Sequence, residues 1–410
     1  MSPPLNVTII GAGIAGTFAA RVLREKNNVK ILEKFGAEHE LGAAINLGPN
    51  ATTFLDKYGF DRERAGSVVV GRSRIFDTKG NVVQESPLPD LRKLFGSDWI
   101  VQHRADLWNE LFRLATAPSD QLGLTGEPAK IIWGAEVAKV DVESGDVTTV
   151  DGRVIQSDLV IGADGIKSSV RQCVVGEAAF STARPSGSSA FRFLLPRDVV
   201  DDVAPGLSVM DPNKPADIEI HLAQDATKRS IVCYPCRNFE FLNFGALGLD
   251  SHIKLDTTES WSSSGSREDL LRCFNDYAQL RPLLEQARNI KVWQLRDQDP
   301  LPTYIRGRTV IIGDAAHAMT PHQGQGASQA IEDGEAFSLF TEQQVSRERV
   351  PEVLKDFDRV RRTRASKIQN ITRDVHQNKT PENIWKNMKY NFSYDGVRAC
   401  ITKLEAGEEI

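Results

Sequence analysis

Two carboxylates stand just past apolar runs and beside glycine: Asp164, after Leu159–Gly162, and Asp314, after Val310–Gly313. A third, Glu33, closes the run Val29–Leu32. In open α/β folds ligands lie beyond the carboxyl ends of the strands, so acids there can hold sugar hydroxyls or phosphate-bound water. Asp is also a common helix N-cap, and a helix-like run follows Asp314. Glycine turns accompany these acids. Gly11, Gly13 and Gly16 fit G-x-G-x-x-G directly after Val7–Ile10, and Gly324 and Gly326 follow Asp314. In such a motif the first glycine permits a tight turn, the second lets backbone approach a pyrophosphate, and the third lets the helix pack on the strand.

The elements that must position these groups are legible around them. Val7, Ile9 and Ile10 read as a buried parallel strand. Phe18, Val22 and Leu23 recur at helical spacing, with Arg21, Arg24, Glu25 and Lys26 facing elsewhere. The glycines therefore open a helix whose N-terminal amides favour phosphate. Glu33 ends the second strand at the offset that suits ribose hydroxyls, and its charge disfavours a 2′-phosphate. Strand, glycines, helix, strand and acid in that order are the context a dinucleotide site requires. The motif alone does not choose between FAD and NAD. A second glycine-rich turn near the other end of the chain points to FAD, which has an adenine end and a flavin end to hold. The Gly324–Gly326 turn opens a helix whose amides would face the flavin's pyrimidine edge and stabilise its reduced, anionic form.

At 410 residues the chain is long enough for two domains. Its 40% hydrophobic and 26% charged residues are those of a globular protein. A net charge of -5 gives no reason to expect nucleic acid. No apolar run approaches the ~20 residues of a membrane span. The start of the chain lacks the basic region of a signal peptide. Five scattered cysteines fit a reduced, cytoplasmic protein. Cys233 and Cys236 form a C-x-x-C within a strand-like stretch, read as structural and not redox-active. No cysteine or histidine set has metal-ligand spacing, so no metal is expected.

The pattern predicts an α/β architecture: a Rossmann-like FAD-binding domain, a mainly antiparallel β substrate domain and a C-terminal helical region. The expected division is 1–180 for the first part of the FAD-binding domain, 181–298 for the β domain, 299–345 for its second part and 346–410 for the helices. Hairpins are expected over 67–87 and 137–154, and helices over 51–58, 105–115 and 268–277. The β domain is read from alternating runs at 190–195, 218–222, 230–234 and 239–247, and 262–266 as a flexible loop. In the last region Val353, Leu354, Phe357, Val360, Ile368, Ile371 and Val375 line one helix face. Arg359, Arg361, Arg362 and Arg364 read as its solvated face.

These motifs, with His103–Arg104 between them, resemble the single-component FAD-dependent aromatic hydroxylases, the group A flavoprotein monooxygenases, and especially their salicylate-hydroxylase-like branch. The likeness runs over about residues 5–375. Tyr304 departs from the family, which often carries Trp there. The resemblance implies that Arg104 contacts the FAD phosphates or ribityl chain and that Asp164 sits near the pyrophosphate. It further implies that Asp314 binds ribityl hydroxyls, that residues 44–46 line the flavin entrance and that the Pro321–Gly324 loop covers one ring edge. The expected cofactor set is Gly11, Gly13, Ala15, Gly16, Glu33, Lys34, Ala44, Arg104, Asp164, Asp314, Pro321, Gly324, Gly326 and Ala327. His317 and His322 are expected near the flavin or as packing residues.

In the family NADH or NADPH reduces FAD, O2 reacts with it, and a flavin hydroperoxide hydroxylates an electron-rich ring. For a phenolic or related small molecule, Arg192, Tyr234 and His221 are the candidate substrate-holding residues. Arg192 is equally readable as an ion pair and Tyr234 as a core aromatic. An epoxidase, an FAD oxidase or dehydrogenase, and a flavin-free binding protein of the Rab-escort type are the alternatives. The last would leave Asp164, Asp314 and Gly324–Gly326 without a task.

Overall fold

The computed structural model describes residues 3–36, 42–176, 180, 182–253, 263–374 and 381–410. The expected boundary residue Ser181, Ser262 of the expected 262–266 loop, and Val375 lie outside these; Ser263–Ser264 of that loop form a short strand paired with Lys291 and Val292. The first sheet has the order Ile305–Arg306, Thr309–Ile311, Leu159–Gly162, Asn6–Ile10, Asn28–Glu33, Lys130–Trp133. All its pairings are parallel except that of the 305–306 edge. Both faces are covered, which is why these strands are nearly continuous in apolar residues. Ile9, Ile31, Ile161 and Val310 face helices Ile14–Leu23 and Gly326–Ala336, while Ile10, Leu32, Val160 and Ile311 face the layer with Val170 and Tyr304. The helix after the first strand sits close because residue 16 is glycine: a Cβ there would lie 2.1 Å from the Gly11 carbonyl oxygen.

The second sheet has ten strands. Its order is Ser263–Ser264, Lys291–Asp297, Arg184–Pro196, Phe241–Leu249, Ser230–Cys236, Ala216–Leu222, Val68–Phe76, Ile100–His103, Ala44–Leu47, with Val82–Pro87 paired to Val68–Phe76. Most pairings are antiparallel, as expected, but Ala216–Leu222 runs parallel to Val68–Phe76. Four of these strands precede residue 181, so the sequence-based division at 180/181 cuts across this sheet. The strands read there as a local hairpin carry unpaired backbone edges, and those edges are satisfied by strands from far along the chain. The sheet is two-sided. Phe191, Phe193, Ile231, Cys233 and Phe244 pack under helices Arg267–Phe274 and Arg281–Leu284. Leu194, Ile218, Ile220, Val232 and Tyr234 pack on the other face with Ala44 and Val101.

The expected 137–154 hairpin is a three-stranded sheet: Val137–Val140, Asp146–Thr149 and Val154–Gln156. The C-terminal region is helical, as Val350–Asp374, Pro381–Phe392 and Val397–Glu405. The four arginines expected on its solvated face do not share one face. Arg361 and Arg364 are 0% and 2% exposed. Leu354, Phe357, Arg361, Arg364 and Ile368 are spaced three and four apart, so the two arginines fall on the buried stripe. They remain buried because Glu332 and Asp333 pair with them. Arg359 and Arg362 are the more exposed pair. Among the described residues no helix is long and apolar enough to cross a membrane.

Candidate active site

Three chain turns meet where adjacent parallel strands end. The Gly11 amide donates to the Leu32 carbonyl at 2.8 Å, the Ala163 amide to Ile10 at 2.8 Å, and the Ile312 amide to Gly162 at 3.0 Å. Gly313, with φ +58°, lies so close to the first turn that a Cβ on it would be 2.9 Å from that of Ala15. The glycine motifs from opposite ends of the sequence are therefore neighbours. Gly13 and Gly326 behave differently from Gly16, since a Cβ on either meets nothing within 4 Å. Both face open space at a helix start, and Ala327 follows in the first turn of the Gly326–Ala336 helix.

Each acid holds backbone. Glu33 accepts the Ala12 amide at 2.8 Å with one oxygen and the Phe35 amide at 3.0 Å with the other. It fixes the first turn and retains acceptor capacity for a ribose. Lys34 is exposed, its ammonium 4.9 Å from the Phe35 ring. Asp164 Oδ2 accepts the Ser169 and Val170 amides at 2.8 and 3.2 Å, helping Ser168, the N-cap, to cap helix Ser169–Val175. Its Oδ1 is buried with no hydrogen-bond partner among the described residues. Capping and a ligand role thus use different oxygens of one carboxylate. Asp314 opens helix Asp314–His317 and its side chain is exposed.

Arg104 starts helix Arg104–Thr116, and its amide donates to Ala43 at 3.0 Å. Burial pulls its pKa down; Asp314 opposes this and Arg192 adds to it. Arg104 is thereby within electrostatic reach of both the 313–314 turn and the β face. Sequence reading missed Arg171. Its buried guanidinium donates to the carbonyls of Ile166 at 2.7 Å and Ala315 at 3.1 Å, tying the second turn to the third. The only signal was an arginine on the short helix that follows the glycine-flanked acid. Arg237 was also missed. It grips Asp106 with two bonds of 2.7 and 2.9 Å and contacts His103 Nδ1 at 3.1 Å. Arginine has only donors, so Nδ1 accepts and the proton is on Nε2.

Arg192 and Tyr234 share one face of the large sheet, through the pairs Tyr234–Asn243, Leu194–Asn243 and Arg192–Gly245. Asn243 accepts the Ala44 amide at 3.2 Å. Tyr234 is hydrogen-bonded to Asn46, and burial pushes its phenol well up from the usual range. Asn46 accepts from Trp99 Nε1 at 3.2 Å and packs against Gly324, just after the Pro321–Gln323 turn. The β face thus reaches the glycine turn through Asn46. Arg192 is only partly exposed, and burial lowers its pKa. Among the described residues it has no carboxylate partner; its guanidinium stands 6.0 Å from the Trp293 ring.

His221 does not join Arg192 and Tyr234. It pairs with Ile231 and faces the opposite side of the sheet, because strand residues alternate and Ile220 takes the site face. It stacks on Phe76 at 4.6 Å. With Glu219 and Cys233 it brings three ligand-type atoms within 4.8 Å of one another, a grouping across strands that sequence spacing could not reveal. Glu219 is already paired with Arg74 at 3.3 Å. Cys233 and Cys236 pack into cores on opposite faces, so this C-x-x-C is not a dithiol pair. His317 is buried with Nε2 2.6 Å from Asp333 Oδ2, whereas His322 lies on the Pro321–Gln323 turn.

This geometry fits FAD: open approaches at Gly13 and Gly326, an unpartnered buried oxygen on Asp164, and the half-buried Arg104 within electrostatic reach of Asp314. A family model described as an FAD binding domain matches residues 124–372. Hispidin-3-hydroxylase of Neonothopanus nambi is 33% identical over 371 residues, 88% of this chain and 86% of that protein. Among solved structures, CtdE in complex with FAD and a substrate aligns with TM-score 0.81 and 20% identity over 98% of both chains. A salicylate hydroxylase substrate complex aligns with TM-score 0.74 and 26% identity over 97% of both. The chain belongs to the FAD-binding-domain family and is an FAD-dependent monooxygenase.

Proposed function

We propose that this enzyme hydroxylates a phenolic or related electron-rich small molecule in the cytoplasm, with O2 and NADH or NADPH as co-substrates. The observation that carries the substrate class is Arg192, a cation on the site face with no carboxylate partner among the described residues. A desolvated charge without a partner is costly, so a ligand that supplies the opposite charge is favoured there. Arg192 would hold a phenolate oxygen, which makes the ring a better nucleophile. Tyr234 keeps its proton across the working pH range and serves as a hydrogen-bond donor to the same oxygen. In this division of labour the parallel sheet and its strand-end turns hold the cofactor, the ten-stranded sheet, including its four strands before residue 181, holds the substrate, and the helices of 346–410 brace both.

In this reading the first turn and Glu33 hold the adenosine end. Arg104, Asp164 and Asp314 hold the middle, and the Pro321–Ala327 segment lies along the flavin. Bound FAD supplies electron transfer from the nicotinamide and activation of O2. The protein supplies orientation, charge at Arg192 and exclusion of water. The test is a panel of phenols and related aromatics scored by NADH and NADPH consumption, with 18O2 and product mass. One labelled oxygen in the product is the expected result. Reductant-dependent products that carry no labelled oxygen contradict the proposal.

Asp314 gives a second prediction. Its side chain is exposed, so Asp314→Ala should change stability by no more than about 0.5 kcal/mol. Loss of charged hydrogen bonds to FAD should weaken its affinity by about ten- to a hundredfold. Titration of apoprotein with FAD checks this; wild-type affinity removes Asp314 from the site.

A further inference from the structure

Behind the 313–314 turn lies a fully buried cluster of charges. Arg361, on the long C-terminal helix, donates through Nε to Asp333 Oδ1 at 2.8 Å. It also pairs with Glu332 and donates to Gln329 Oε1 at 2.8 Å. Arg364 donates to both Glu332 oxygens, at 2.7 and 3.0 Å, and to the Asn391 carbonyl at 2.7 Å. Glu332, Asp333 and Arg361 are each 0% exposed. Two carboxylates balance two guanidiniums, and His317 is a further titratable group in contact with Asp333.

The bonds leaving this cluster run to the site. Asp333 Oδ2 accepts the Gly313 amide at 2.8 Å and faces His317 Nε2 at 2.6 Å. These contacts bracket Asp314 on both sides, at a turn whose glycine is held in a left-handed conformation. Glu332 Oε1 accepts from Asn50 at 2.6 Å, and Asn50 also donates to Gln325 at 3.1 Å. Gln325 is the N-cap of the Gly326–Ala336 helix. One cluster therefore holds both the turn that carries Asp314 and the helix start after Gly324.

Buried ion pairs contribute little stability relative to apolar side chains of similar volume, so stability does not account for such a cluster. We propose that Arg361, Glu332 and Asp333 are positioning residues: they fix the 313–317 turn and the 325–327 helix start in the geometry that FAD requires. The C-terminal helix thereby takes part in cofactor binding without touching the site. This inference rests on the reading that Asp314 and the 326–336 helix face FAD.

The test uses full-length protein carrying Arg361→Met with Asp333→Asn, which removes one charge of each sign at similar volume. Secondary structure and melting temperature should stay near wild type. Amide exchange over 313–317 in the apoprotein should rise at least about tenfold, FAD affinity should fall at least about tenfold, and the midpoint potential of the residual bound flavin should shift. Wild-type exchange, affinity and potential overturn the proposal. If the double variant does not fold, Arg361→Lys decides. Lysine keeps the charge but cannot reach Asp333, Glu332 and Gln329 together, so the same changes are expected in milder form, and wild-type values again overturn it. Asp314→Ala separates the two levels: wild-type FAD affinity there sinks the underlying reading, while loss there with intact network variants sinks this inference alone.

Discussion

Gly16→Val is expected to yield no folded protein, whereas Gly13→Val in the same turn is expected to fold and fail to bind FAD. The two glycines differ in what a Cβ would meet. At Gly16 it would lie 2.1 Å from the Gly11 carbonyl oxygen and 3.2 Å from Ile9 Cγ2. The first of these is backbone inside the central strand–helix unit, so no side-chain rotation relieves it. Overpacking of this kind costs about 3 kcal/mol or more, a large share of the ~5–15 kcal/mol that holds a domain together. At Gly13 the backbone is extended, with φ -71° and ψ -173°, which any residue adopts. A valine there fits the chain but fills the open space in front of the turn. FAD affinity should fall by about a hundredfold, or ~2.7 kcal/mol. Thermal melts and flavin content of the two purified variants check the contrast. Normal flavin content in Gly13→Val would place the pyrophosphate elsewhere.

Arg192→Met is expected to lower kcat/KM by about 100- to 1000-fold, the worth of a charged pair formed in a desolvated site. It should leave FAD affinity unchanged, because Arg192 lies on the β face and not at the strand-end turns. It should also raise the melting temperature. The wild-type guanidinium is desolvated without a carboxylate to offset it, and a thioether of similar length relieves that cost. A gain in stability with a loss of turnover is the pattern of a residue kept for its ligand. Tyr234→Phe should lose only about tenfold, one neutral hydrogen bond. Steady-state kinetics alongside thermal melts distinguish these outcomes. Unchanged kinetics in Arg192→Met dismiss the anion-holding role.

Local pattern carried much of this molecule. The first β-α-β unit was legible because Val7–Ile10, the glycines and Glu33 interact within one short segment. The 310–326 segment was legible for the same reason. What sequence could not show was pairing between distant strands. Val68–Phe76 joins Ala216–Leu222 in the large sheet, and no local periodicity encodes that partner. The misplacement of His221 has a related cause. In a two-sided sheet a one-residue change of phase moves a side chain to the other face, and both phases of 218–222 contain residues suited to a core. Arg361 and Arg364 were misread because charge was taken as exposure. Their three- and four-residue spacing with Leu354, Phe357 and Ile368 was the better guide, and the Glu332–Asp333 pair on another helix supplied the missing counter-charges.

The most direct measurement is hydrogen–deuterium exchange of the apoprotein with and without saturating FAD, resolved by segment. The residues from the two chain ends should become protected together: 11–17, 163–170, 313–318 and 324–330, at a common FAD concentration dependence. Protection of the first segment without the last two would show that the ends of the polypeptide do not clasp one cofactor, and would contradict the account.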